Sequence, residues 1–212
     1  MTENRSQLET CRAKLIENGF EVFTAADSQE AGAIFFDQVL PQLTVKTVSW
    51  GDSMTMKATG VLNELEKQDG IKIIRTFEKD VAWKELIERR RQALLCDLFL
   101  TGSNAVTEDG RLVNLDMIGN RTGGISFGPR KVVLFTGRNK ITRDLESAID
   151  RVRNIAAPLN AKRHDFQTPC AKTGRCHNCS SPQRICNSWS IIDKCYPKGR
   201  IKIILINADL GL

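Results

Sequence analysis

Apolar residues recur along the chain at two spacings, and the switches between them lay out the elements. Leu8, Cys11, Leu15 and Ile16 form a stripe at helical spacing, which predicts an N-terminal helix stopping near Gly19. A short strand over 21–24 follows, then a helix capped by Asp27 or Ser28, carried by Ala31, Ile34, Phe35 and Val39, and ended by Pro41. Residues 44–50 predict a strand entering Gly51, with a helix just beyond. Residues 71–75 predict another strand, and 82–95 a helix with a basic face at Arg89, Arg90 and Arg91. Residues 97–100 read as a buried strand closing on Thr101-Gly102-Ser103-Asn104. Asp109-Gly110, between Ala105-Val106 and Leu112-Val113, predicts a hairpin with a type I′ turn, because glycine tolerates the positive φ that turn needs. A strand over 131–135 precedes a helix with Ile141, Leu145, Ile149, Val152 and Ile155 on one face, expected to end before Pro158. The apolar run 201–206 predicts a last, interior strand. Strands alternating with amphipathic helices imply one α/β domain over 1–212.

Composition changes this picture in one place. Five of the seven cysteines fall within Cys170, Cys176, Cys179, Cys186 and Cys195, among the turn formers Pro169, Gly174 and Pro182. Residues 161–200 also hold eight Lys or Arg against two acids, so they carry the whole net charge of +6. We expect a basic, cysteine-rich lobe over 162–198, inserted before the last strand. The odd cysteine count, and the lack of an apolar stretch in Met-Thr-Glu-Asn-Arg-Ser-Gln for a signal peptide, argue for a reducing, cytoplasmic setting. No apolar run approaches the ~18 residues that a membrane span needs. At 41% apolar and 26% charged, the remainder is of ordinary globular composition.

Thiolates bunched in turns bind metals, and Cys176-His177-Asn178-Cys179 lets two sulfurs of one tight loop face one ion. Cys170, Cys176, Cys179 and Cys186 are the expected ligands, with Cys195 spare and His177 a solvent-facing loop residue. Four thiolates suit a [4Fe-4S] cluster or tetrahedral zinc, and the spacing matches neither a standard ferredoxin run nor a zinc ribbon. Cys11 and Cys96 read as small core residues. A second candidate site is a crevice for a small anion, lined by Gly51, Ser53, Thr55, Ser103 and Asn104, each at or just past the end of a predicted buried strand. The plainer alternative is a capped turn at each place. Asn120-Arg121-Thr122-Gly123-Gly124 is a third polar loop, able to offer an arginine to the anion. Glu108, Asp109 and Asp116 are acid–base candidates, although Asp109 is explained by its turn and Asp116 by solvating a loop. No triad, nucleophile elbow, Walker motif or dinucleotide fingerprint is present, so no catalytic residue is assigned.

Three segments resemble the LUD (lactate utilisation) domain family, which includes the LutC or YkgG-like proteins: Trp50-Gly51-Asp52-Ser53-Met54-Thr55, the block Thr101–Asn114 around Ser-Asn-Ala-Val-Thr-Glu-Asp-Gly, and Asn154–Arg163. The cysteine segment resembles a cysteine-bearing branch of that family. The resemblance implies an open Rossmann-like sheet like that of ribose-5-phosphate isomerase and the CoA transferases. It implies an iron–sulfur component of organic-acid redox metabolism, with a redox protein partner in a lactate-oxidising assembly. The competing reading is a binder or enzyme for a phosphorylated metabolite or CoA ester with a purely structural metal lobe. A zinc-lobe nucleic-acid binder ranks last, because Phe166, Trp189 and Tyr196 give the lobe little aromatic surface.

Overall fold

The structure is a computed structural model that describes residues 2–212, with side chains from Gln7 onward. In chain order the elements are α1 (Thr2–Glu17), β1 (Glu21–Ala25), α2 (Ser28–Ile34), β2 (Thr47–Trp50), α3 (Met54–Ala58), α4 (Val61–Leu65), β3 (Lys72–Ile73), α5 (Trp83–Ala93), β4 (Leu98–Thr101), β5 (Ala105–Thr107), β6 (Leu112–Asp116), α6 (Asn120–Ser126), β7 (Lys131–Gly137), β8 (Ile141–Thr142), α7 (Leu145–Arg151), α8 (Ala157–Arg163), α9 (Pro169–Thr173), β9 (Ser188–Ile192) and β10 (Ile201–Ile206). Asp27 caps α2 by accepting from the amides of Gln29 and Glu30, as its side chain predicts.

Six strands form a parallel sheet in the order β1-β10-β7-β4-β2-β3. Its inner strands β10, β7 and β4 are mostly apolar because both faces are covered, and strand alternation divides their apolar residues between the two faces. Phe99, Val132, Leu134, Ile203 and Leu205 point to the face under α1, with Leu8, Cys11 and Leu15. Leu98, Leu100, Val133, Phe135, Ile204 and Ile206 point to the opposite face, with Phe35, Met56, Val61 and Leu65. The mostly parallel α/β arrangement fits the Rossmann-like expectation.

Three expectations are corrected. The chain does not form a single open sheet: β8, β5, β6 and β9 make a second sheet in that order, packed on α7 through Ala105, Val113, Ala148 and Val152. Residues 162–198 precede the last strand, and within them β9 pairs antiparallel with β6 from Leu112↔Ile192 to Asp116↔Ser188. The helix expected over 141–155 begins after Ile141, which joins β8, and it runs on past Pro158. A π turn over Val152–Ala156 has already broken the regular ladder there, so the missing proline N–H costs little at the start of α8. The 105–113 hairpin is not closed by a type I′ turn. Gly110 alone is left-handed (φ 84°), its N–H bonding Thr107 O at 2.9 Å, and Arg111 N returns to Thr107 Oγ1.

Candidate functional site

Strands β2, β4 and β7 are neighbours in the parallel sheet, so the loops leaving their carboxyl ends meet at one edge. There they surround a cleft of about 340 Å³, lined by Asp52 and Ser53 after β2, Ser103 and Asn104 after β4, and Lys140 after β7. Of the five crevice residues named from sequence, Ser53, Ser103 and Asn104 line this cleft. Gly51 and Thr55 lie behind it. Gly51 backs onto Arg121 and Thr101, whose side-chain atoms would stand 2.7 Å from a Cβ, and Thr55 Oγ1 donates to Leu210 O (2.9 Å).

Capping and cleft lining are not exclusive here. Ser53 Oγ accepts from Met56 N (3.2 Å) as the cap of α3 and keeps its own proton to donate, whereas Ser103 Oγ donates to Ala105 O (2.8 Å). Asn104 Oδ1 accepts from Leu115 N (2.9 Å) and Arg121 (2.6 Å), which leaves its amide NH₂ as the remaining donor.

Arg121 differs most from expectation. The segment 120–126 is a helix, and Arg121 is buried beneath the cleft, hydrogen-bonded to Gly102 O, Asn114 Oδ1, Asn104 Oδ1 and Leu115 O and paired with Asp116 at 2.8 Å. Those acceptors occupy both Nη groups of the guanidinium. It organises the loops rather than offering itself to an anion. Asp116 is likewise buried and occupied, with Thr122 N as a second partner at 2.7 Å, so it does not solvate a loop. Glu108 and Asp109 sit at the far hairpin turn and do not line the cleft.

Two further charged groups of the cleft, Asp52 and Lys140, were not named as site residues from the sequence. Asp52 is clasped by Arg163, by Lys57 (2.8 Å) and by His164 (3.1 Å). Burial works against its charge, but hydrogen bonds from Arg163 and Lys57 outweigh burial and hold the carboxyl down at about 2. Lys140 is only 5% exposed, and its Nζ donates to Thr55 Oγ1 at 2.7 Å. Burial, then the nearby positive charges of Arg151 and Arg121, depress its amine to about 7. A lysine following an apolar strand, at the edge shared with Ser53 and Ser103, was the available clue.

The cysteine segment forms part of the cleft wall through Arg163, His164, Phe166 and Ile185. Of the four expected ligands, Cys170 lies in α9, and Cys176, Cys179 and Cys186 lie on the irregular segments that follow it. The charges of Cys176, Cys179 and Cys170 all act on the Cys186 thiol, which burial chiefly raises and Arg184 opposes. Arg184 ties the turns together, donating to Cys179 O (2.6 Å), Cys186 O (3.0 Å) and Asn178 Oδ1 (3.2 Å). Sequence reading counted Arg184 only as charge. Among the described residues no three Cys, His, Asp or Glu side chains converge on a common metal position. The donor set nonetheless suits a thiolate-ligated centre in kind and number. Cys195 is elsewhere, buried under α1 with Ile201 N donating to its sulfur at 3.3 Å. His177 is exposed and bonds Thr173. No helix is long and apolar enough to cross a membrane among the described residues.

The comparisons agree with this architecture. No curated protein matches the chain. A crystal structure of a DUF162 family protein from Deinococcus radiodurans superposes with a TM-score of 0.54 at 13% identity, covering 96% of this chain and 98% of that one, a likeness of fold alone. The sequence profile of the LUD domain matches residues 8–206, nearly the whole chain and both candidate sites, and so this chain belongs to the LUD domain family.

Proposed function

We propose that this LUD-family protein binds a small organic acid in the cleft at the carboxyl edge of the sheet and serves lactate-type redox metabolism, with Cys170, Cys176, Cys179 and Cys186 holding an iron–sulfur cluster. The observation that carries the reading is the shared wall: Ile185 lines the cleft and the next residue, Cys186, belongs to the thiol group. A cluster held by these residues would supply one-electron chemistry beside the bound acid. The basic residues of the segment suit its negative charge, and the free thiols suit a reducing compartment such as the cytoplasm. A redox protein partner would complete the assembly.

The Arg184 clasp favours a second reading. Because an arginine already braces the turns through backbone carbonyls, a structural zinc could complete the fold of the segment while the cleft alone binds a phosphorylated metabolite or CoA ester. Anaerobic purification with absorption spectroscopy and metal analysis separates the two. Stoichiometric iron with a broad visible band, lost in Cys176→Ser and Cys179→Ser but retained in Cys195→Ser, is the expected result. Colourless protein carrying zinc removes the iron–sulfur reading.

A further inference from the structure

Among the described residues that line the cleft, two cations have no carboxylate partner: Arg90, which is half-buried and lies over the rings of Phe77 and Trp83, and the more deeply buried Lys140. Arg121 has acceptors on both Nη groups, and Asp116 is paired with it. Asp52 is held by Lys57, Arg163 and His164. Arg151, on α7, is buried and donates to Asn139 O (3.0 Å) and Asn104 O (2.7 Å). Lys140 has Thr55 Oγ1 on α3 as its hydrogen-bond acceptor, and no carboxylate of the described residues pairs with it. The last residues fold over this amine so closely that a Cβ on Gly211 would stand 3.1 Å from Nζ, and Leu212 reaches the cleft lining.

An ammonium can donate three hydrogen bonds, and burying one among arginines with no counter-ion is costly. An anion at this amine would offset both the burial and the repulsion from Arg151 and Arg121. We propose that Lys140 Nζ binds the carboxylate of the organic acid and that the acid enters together with one proton taken from solvent onto this amine. The inference rests on the cleft reading above and deepens it by naming the anchoring residue and the charge state of the ligand. Ser53 Oγ and the Asn104 amide, lining the same cleft, are the neutral donors available to the rest of the ligand.

The physical chemistry follows from linkage. Without ligand, the amine is held near neutrality by burial and by Arg151 and Arg121. A bound carboxylate reverses that environment and favours the ammonium. Affinity is then greatest where the free amine is already protonated, below about pH 7. Above that it falls by about tenfold for each pH unit, because each binding event must bring a proton with it.

Calorimetric titration of the intact protein with L-lactate, pyruvate and inorganic phosphate, at several pH values and in two buffers of different ionisation heat, tests this. The expected result is carboxylate binding with uptake of close to one proton at alkaline pH. We expect a loss of tenfold or more in affinity in Lys140→Met, and binding without pH dependence in Lys140→Arg. Proton uptake is read on the parent protein, so the test survives a variant that fails to fold. Carboxylate binding without proton uptake, or unchanged in Lys140→Met, overturns the inference and leaves the cleft reading standing. Binding of phosphate with no binding of either carboxylate overturns the assignment of ligand class. If none of the three probes binds the parent, or if Met54→Trp at the cleft lining leaves binding intact, the cleft reading falls and this inference with it.

Discussion

Arg121 and Asp52 show how single residues set up the cleft. Replacing the Arg121 guanidinium leaves Asp116 as a buried carboxylate without its counter-ion and takes a donor from Oδ1 of both asparagines, so Arg121→Met is expected to cost roughly 3–5 kcal/mol of stability in urea unfolding. Asp52 acts through pH. Its carboxyl is held at about 2, below its ordinary 3.8, so its clasp stabilises the fold fully above about pH 4 and is lost as pH falls toward 2. The stability difference between the parent and Asp52→Asn should therefore shrink across that window. Ser53, Ser103 and Asn104 were legible in sequence because small polar residues directly follow apolar strands. Lys140 and Arg121 were not, because what distinguishes them is burial and the set of partners, both of which depend on distant segments.

The elements also show where local pattern suffices. Period-two alternation in β4, β7 and β10 sorts residues correctly onto two faces, since strand geometry leaves no other choice. Tight approach between loops is a different matter. Gly102 packs against the loop after β2 and the β7 backbone, and a Cβ there would lie 2.5 Å from Ser53 Oγ and 3.0 Å from Phe135 O. Its φ is not positive, so Gly102→Ala should cost about 1–3 kcal/mol through overpacking alone, with weakened ligand binding because Ser53 is displaced. Calorimetric melting and titration read the two effects separately. The short strands β8 and β9 and the helix α6 were missed for a shared reason. Their positions depend on distant partners rather than on local pattern: β8 pairs with β5, β9 with β6, and α6 packs on β6 and β4.

At the scale of the whole molecule, the last strand decides stability. β10 lies between β1 and β7, so the chain closes its central sheet only after residues 162–198 have passed along the second sheet. A chain truncated after Ala161 loses an interior strand and exposes the apolar faces of two neighbours. It should show no cooperative melting transition, and a cooperative one would contradict this dependence on β10. The sequence by itself determined the α/β class, most strand positions, the cleft-lining serines and the clustering of cysteines along the chain, because hydrophobic period, turn chemistry and cysteine spacing are local properties. Tertiary structure decided that there are two sheets rather than one and that the cysteine segment walls the cleft. It also decided that Arg121 is bound internally while Lys140 has no carboxylate partner among the described residues. These depend on which distant groups share a dry interior, where an ionisable group is governed by its neighbours and its desolvation rather than by its place in the chain.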